Sequence, residues 1–146
     1  MSPKEDLLQG HRLPADLSDE QFIAAMEQLH IKNANFHHRD HIRLAWAYLR
    51  LFDLPNAEQK ISRCIRRFAD FNSAPHKYHH TITLVWMRIV AAAMRLTPAI
   101  YNFEEFAAAH PFLFDARLPW TFYSAASLSS DAARTAWVNP DLHPLP

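Results

Sequence analysis

The chain has 146 residues, enough for one domain closing one substantial core. Hydrophobic residues make up 49% and aromatic residues 12%, which excludes a disordered chain. Lys plus Arg is 15 and Asp plus Glu is 15, so no excess charge directs the chain to nucleic acid or to an anionic membrane surface.

Residues 1–17 are polar, are broken by Pro3 and Pro14, and read as an extended lead-in. Lys4, Glu5, Asp6 and Arg12 stand where a secretory signal would place an apolar run, so a cytoplasmic location is expected. Ser18 with Gln21 has the spacing of a capping box and predicts a helix over 19–30. Its apolar residues Phe22, Ile23, Met26 and Leu29 recur at helical spacing. A second helix is predicted over 37–52, stopping before Pro55. Pro55 suits the first turn of a third helix over 55–71, with Ile61, Cys64, Ile65 and Phe68 as its inner stripe. Cys64 is the only cysteine, which excludes an internal disulfide; on that stripe it reads as core and not as a nucleophile. Residues 72–75 predict a turn, and Pro75 opens a fourth helix over 76–96, ended by Thr97 and Pro98. Its apolar part, 81–96, contains Arg88 and Arg95 and is too short to cross a bilayer. Asn102 with Glu105 predicts a short helix to His110. Residues 111–128 read as irregular, with Pro119, Trp120, Phe122 and Tyr123 packed as a cover. Ser130 caps a last short helix over 131–138, and the tail 139–146 is extended. The expected fold is an all-α, single-domain helical bundle of four main helices plus two short C-terminal helices.

The single glycine, Gly10, removes Gly-rich phosphate loops, dinucleotide fingerprints and nucleophile elbows together. The histidines are the anomaly: there are ten, and six form two clusters, His37, His38, His41 and His76, His79, His80. Helical residues advance by about 100° each. On the second helix that advance places His38 and His41 on the stripe of Ala45, Tyr48, Leu49 and Phe52. His37 falls at the flank, while Arg39, Asp40, Arg43, Ala47 and Arg50 fall on the far side. On the fourth helix His79 falls among Ile82, Thr83, Trp86, Met87 and Val90. His76 and His80 lie at its edges, with Lys77, Thr81, Arg88 and Arg95 on the wet face. Helices two and four are separated by one antiparallel helix, so both clusters are expected at the same end of the bundle. Converging neutral imidazoles suit zinc, iron or copper. A hydrogen-bonded network of neutral histidines is the alternative reading of the same pattern.

Other candidates have ordinary explanations. Tyr78 is expected on the wet side, while Tyr48 and Tyr123 are within reach of the site as acids. Lys60, Arg63, Arg66 and Arg67 make a basic helix face that reads as solvated. Glu104, Glu105, Asp115 and Asp131 are accounted for by capping or exposure, and His110 at a helix C-terminus fits the dipole.

Residues 36–46, with Phe36, His38, His41, Ala45 and Trp46, and residues 77–83, with Lys77, Tyr78, His79, Thr81 and Thr83, together resemble a family of small uncharacterised bacterial helical proteins. That family is marked by F-x-H-x-x-H before an Ala-Trp helix and by K-Y-H-x-T-x-T, and the likeness extends over roughly residues 20–145. The resemblance implies a site at Phe36, His38, His41, Tyr78, His79, Thr81 and Thr83, and leaves out His37 and His76. The family pattern often has Glu at the position of His80, so a three-His-plus-carboxylate set would be all-histidine here.

The expected function is a small metal-dependent enzyme, hydrolytic or redox, acting on a small-molecule substrate. His38, His41, His79 and His76 are the expected ligands of a zinc, iron or copper ion, and His80, Tyr78 and Thr83 the expected catalytic groups. The competing expectation is a non-catalytic helical interaction module, or a metal sensor or carrier.

Overall fold

Ser18 opens the first helix, α1 (Asp19–Glu27), as its spacing predicts: the Gln21 amide donates to Ser18 Oγ at 3.2 Å, and the Ser18 amide donates to Gln21 Oε1 at 3.0 Å. The computed structural model describes residues 12–146, so most of the predicted lead-in, with Gly10 and His11, lies outside the described residues. α1 stops at Glu27 instead of reaching His30 because Leu29 turns left-handed, with φ 62°. The Leu29 amide then donates to the Met26 carbonyl and the His30 amide to the Ala25 carbonyl, which closes the helix end.

The next two helices, α2 (His38–Leu51) and α3 (Leu54–Phe71), are joined by two residues and therefore run antiparallel. Asp53 caps α3 through the Asn56 amide at 3.0 Å, and Pro55 sits in its first turn as expected. α3 ends like α1. Ser73 has φ 56°, its amide donates to the Asp70 carbonyl, and the Ala74 amide donates to the Ala69 carbonyl. A non-glycine side chain in this region costs about 1 kcal/mol. Ser73→Gly is therefore expected to stabilise the fold by about 0.5–1 kcal/mol, after allowing for the flexibility of glycine in the unfolded chain. The readout is a higher urea midpoint at unchanged slope; a midpoint that stays or falls shows that this turn holds no strain.

The fourth main helix, α4 (His80–Leu96), starts four residues later than predicted. Pro75–Lys77 forms a separate 3-10 turn, and Tyr78 (ψ 131°) and His79 (ψ 109°) are extended. Pro75 favours an opening turn, and nothing in periodicity alone distinguishes a 3-10 turn from the first turn of an α-helix. α4 packs on both α2 and α3. The His38 ring at the start of α2 lies 4.7 Å from Trp86 in the second turn of α4, so those two N-terminal ends are neighbours.

Four short helices follow where two were expected: α5 (Phe103–Ala109), α6 (Pro119–Phe122), α7 (Ala125–Leu128) and α8 (Asp131–Thr135). The segment 111–128 is thus not irregular throughout, since it holds a 3-10 turn, Pro111–Phe114, besides α6 and α7. Of its expected cover residues, Tyr123 is fully buried, whereas Trp120 is 45% exposed. Among the described residues the sole bridge of sheet type is isolated, between Arg12 and Ile31, and no helix is long and apolar enough to cross a membrane. The architecture is an all-α, single-domain helical bundle.

α2 is covered on several sides, since α1, α3, α4 and the turn at 111–114 all pack on it. Leu44, Trp46 and Tyr48 have no exposure, and Ala47, expected outward, is buried under this cover. Phe52, expected inward, is partly exposed at the helix end. Arg43 reaches back to pin the lead-in, donating to the Pro14 carbonyl at 2.7 Å and the Leu17 carbonyl at 2.6 Å. Thr81, expected on the wet face of α4, is also buried, because residues 136–138 cross it.

Candidate functional site

The two histidine clusters use their rings differently. His38 Nε2 lies 2.8 Å from the Leu113 carbonyl. A carbonyl only accepts, so Nε2 carries a proton and donates to it. One turn later, His41 is half-buried as a residue, and its Nε2 is enclosed and has no partner among the described residues. The ring lies 6.3 Å from Phe36, which packs on Phe68 at 5.3 Å. Burial, reinforced by His38, lowers the His41 pKa to about 4, so this ring is neutral at physiological pH. His37 is exposed and precedes the helix, its amide bonded to Asp40 Oδ2 at 2.8 Å.

His79 is not on a helix face at all: it is the N-cap of α4. Its Nδ1 accepts from the Ile82 amide at 3.1 Å, and its Nε2 donates to the Leu128 carbonyl at 2.7 Å. Both nitrogens are spent on backbone, which fixes one neutral tautomer and ties α4 to α7. Burial lowers its pKa, although the bond to Leu128 opposes the shift. The polar residues after it are equally occupied. Thr83 is buried and donates to the His79 carbonyl at 2.8 Å, so the expected catalytic threonine is a helix-start bond without access to ligand. Thr81 donates to the Ala136 carbonyl at 2.8 Å and accepts from the Val138 amide at 3.2 Å.

A zinc, iron or copper site of the expected kind needs three or more converging donors. Among the described residues no three His, Cys, Asp or Glu side chains gather in that way. His38 and His41 are two donors one turn apart, His79 has no free nitrogen, and His76 is exposed in the separate 3-10 turn. In this arrangement His38, His41, His79 and His76 do not fit a common metal site. The common helix face predicted for His76, His79 and His80 fails because α4 begins only at His80.

Several other expectations resolve into structure. The Tyr48 hydroxyl donates to Glu27 Oε1 at 2.7 Å and the Tyr123 hydroxyl to the Val138 carbonyl at 2.6 Å, so neither serves a histidine. Burial pushes the Cys64 thiol up to about 12, as befits a core residue. His110 does not act as a cation at its helix end: burial lowers its pKa, and its Nε2 bonds the Thr97 hydroxyl at 2.8 Å.

His80 and Tyr78 are the reactive groups that the fold brings together. Tyr78, expected on the wet side, is buried, and its hydroxyl lies 2.7 Å from His80 Nδ1. The Arg66 guanidinium sits 4.7 Å from the Tyr78 ring centroid. Burial, then Arg66 and then His79 lower the His80 pKa, which keeps the imidazole neutral near pH 7. Its Nε2 has no protein partner among the described residues.

This pair stands on an open groove between α3 and the start of α4. One lobe, about 550 Å³, is lined by Ser62, Arg63, Arg66, Arg67, Asp70 and His80, with Glu58 at its wall. A second lobe, about 580 Å³, shares Arg66 and Asp70 and adds Pro75, His76, Tyr78 and Arg134. Glu58 bonds Arg88 across the wall at 3.5 Å, and burial raises its carboxyl above the usual range. The basic face read as solvated therefore borders a cavity. Its sequence signal is partial: Arg63 has no carboxylate three or four residues away on either side, whereas Asp70 follows Arg66 by four residues and Arg67 by three.

Comparison of the chain with protein-family models, with curated proteins and with solved structures gives no match. Fold and site together define its class: an all-α bundle with a two-lobed groove edged by charged side chains and a tyrosine–histidine pair where the lobes meet.

Proposed function

We propose that this chain binds a small polar molecule in the groove between α3 and α4 and moves a proton on it through His80. The observation that carries this reading is the 2.7 Å bond between Tyr78 and His80 Nδ1 at the meeting point of two cavities of small-molecule size. The bond leaves Nε2 as the nitrogen that meets ligand. With the proton on Nδ1 and donated to Tyr78, Nε2 is a base; with Tyr78 donating to Nδ1, Nε2–H is a donor. A neutral imidazole held in this way is suited to general acid–base catalysis, which contributes about 10²–10⁴-fold when the group is placed correctly. Tyr78 is the positioning residue, fixed by burial and by Arg66 above its ring.

A metal-bound reading keeps one supporting observation, the enclosed and unpartnered Nε2 of His41 one turn after His38. Two imidazoles do not close a zinc, iron or copper site, so no chemical step is routed through an ion.

One titration separates these readings. Amide spectra of the full chain are followed while zinc, iron(II), copper(II) and a panel of small carboxylates, phosphate esters, amines and neutral polyols are added singly. The expected result is that panel members move Ser62, Arg66, Tyr78 and His80, and that His80→Gln weakens those responses. One ion per chain, lost in His38→Ala and His41→Ala, with a silent groove, would replace the groove by the metal site. No response from any compound at the groove ends the proposal.

A further inference from the structure

We propose that the groove recognises a phosphoryl group on a small hydroxylated molecule, with Arg63, Arg66 and Arg67 holding the phosphate and Asp70 holding a neighbouring hydroxyl. This rests on the groove being the binding site, as proposed above.

Some arginines are paired and others are not: besides those of the first lobe, Arg50, Arg95 and Arg134 have no carboxylate partner among the described residues. Arg39, Arg43, Arg88 and Arg117 each have a carboxylate partner: Glu104, Asp19, Glu58 and Asp115. Arg63, Arg66 and Arg67 have none among the described residues, although all three line one lobe of the groove. Arg66 lies three residues after Arg63, and Arg67 four residues after it, so the guanidiniums rise from adjacent turns of one helix face. Like charges at that spacing repel each other, and an anion between them removes the repulsion. The fold spends part of this set elsewhere: Arg67 Nη1 donates to the Glu27 carbonyl at 3.1 Å, and Arg66 lies over Tyr78. Both contacts fix the side chains without neutralising them.

The acids on the groove have to be accounted for. Glu58 is paired with Arg88 at 3.5 Å, so its charge is already matched. Asp70 is the remaining carboxylate, and it lines both lobes. Its position argues against an extended polyanion, because a second anionic group passing from the first lobe into the other would meet it. A carboxylate acceptor beside a basic cluster selects a neighbour that donates hydrogen bonds, and a hydroxyl is the simplest such group.

The donors in the first lobe favour a tetrahedral anion over a planar one. Three guanidiniums can engage three phosphate oxygens at once, whereas a carboxylate offers two. His80 Nε2 adds a fourth donor in its Nε2–H tautomer. Ser62 lines the same lobe, and its buried hydroxyl has no partner among the described residues. A lobe of about 550 Å³ accommodates a phosphate ester, and the second lobe, with Pro75 and Tyr78 in its wall, receives the organic part.

Calorimetric titration of the full chain tests this with sodium phosphate, glycerol 3-phosphate, glycerol and acetate at equal ionic strength. Glycerol 3-phosphate is expected to bind at least tenfold more tightly than acetate or glycerol, and more tightly than phosphate alone. Arg63→Gln and Arg66→Gln are each expected to weaken it by tenfold or more, and Asp70→Asn to erase its advantage over phosphate. Arg95→Gln, on an exposed residue outside the groove, leaves binding unchanged; circular dichroism and melting curves confirm that each variant folds. If amines or neutral polyols move the groove and phosphates do not, the phosphoryl assignment falls while the groove stands. If nothing binds there, both fall. Unchanged affinity in Arg63→Gln and Arg66→Gln locates the phosphate elsewhere and overturns the assignment. Vesicles of phosphatidylcholine with and without phosphatidic acid form the last arm: binding to the acidic vesicles without binding of glycerol 3-phosphate makes the ligand a lipid surface and overturns the small-molecule form.

Discussion

Acidification from pH 7 to pH 4 is expected to remove about 3 kcal/mol of folding stability through His41 alone. The unfolded chain takes up a proton on this residue near pH 6.5, the folded chain only near pH 4. Between those values the unfolded state binds more protons, so stability falls as the pH falls. Above 6.5 both states are neutral and the contribution is flat; below about 4 the loss is complete. At about 1.4 kcal/mol per pH unit, the window from 6.5 to about 4 gives that magnitude. His79, His80 and His110 have lowered pKa values too and add loss of the same sign. Glu58 opposes them, since a raised carboxyl contributes stability that is lost as the pH rises. The lowered carboxylates Asp115 and Asp141 add loss of the same sign only at the acid end of this range, as the unfolded carboxyls begin to protonate near their ordinary value of 3.8. Urea unfolding at pH 7 and pH 4.5 measures the slope, and His41→Leu isolates the residue. Leucine removes the proton site and the unpartnered Nε2 and places an apolar group near Phe36 and His38. The variant should lose distinctly less stability on acidification than the parent chain. Equal losses in the two proteins would mean that His41 titrates normally in the folded state.

The same residue shows what a sequence can and cannot reveal. Periodicity placed His38 and His41 on the inner stripe of α2, and the enclosed Nε2 and the contact with Trp86 agree with that placement. Apolar spacing and caps such as Ser18, Asn102 and Ser130 located helices because those signals are local. The left-handed turns at Leu29 and Ser73 were hidden, since the residue that usually marks such a turn is glycine and neither position has it. The start of α4 was misplaced for a related reason: His79 acts as a cap through its ring nitrogen, a role that sequence rules assign to Ser, Thr, Asp or Asn. That shift of four residues undid the shared face of His76, His79 and His80. The groove was illegible because its charge pattern on α3 is local, whereas the cavity that gives the pattern meaning forms only when α4 and the turn at Pro75–Lys77 pack beside it.

Thr81→Val is expected to cost about 2–3 kcal/mol, a large loss for a change of one hydroxyl to one methyl group. Thr81 has no exposure, and its hydroxyl both donates to the Ala136 carbonyl and accepts from the Val138 amide. Valine keeps the shape and leaves two backbone groups without their partner, at about 1–3 kcal/mol for each one that water does not reach. Ala136 is exposed and its carbonyl recovers part of the loss from solvent, which holds the total near the lower end of the combined range. The bonds belong to a C-terminal strap. The buried Tyr123 donates to the Val138 carbonyl, Arg88 lies 3.9 Å from the Trp137 ring centroid, and Ser124 bonds Asp141 through both its amide and its hydroxyl. Thr81 is the hydrogen-bonded link from this strap to α4, beside the Arg88–Trp137 contact. Loosening it should therefore act on the strap before the core. Hydrogen exchange at the Val138 and Leu142 amides should accelerate more than tenfold in Thr81→Val, while α2 amides such as Trp46 change only as much as global stability does. Thr81→Ser retains the hydroxyl and should restore most of the protection. If Thr81→Ser and Thr81→Val are equally destabilised, the missing methyl or altered packing is responsible and the hydroxyl bonds do not hold the strap. If the strap opens without a shift in the Tyr78–His80 resonances, the groove and the C-terminal segment are energetically separate parts of the bundle.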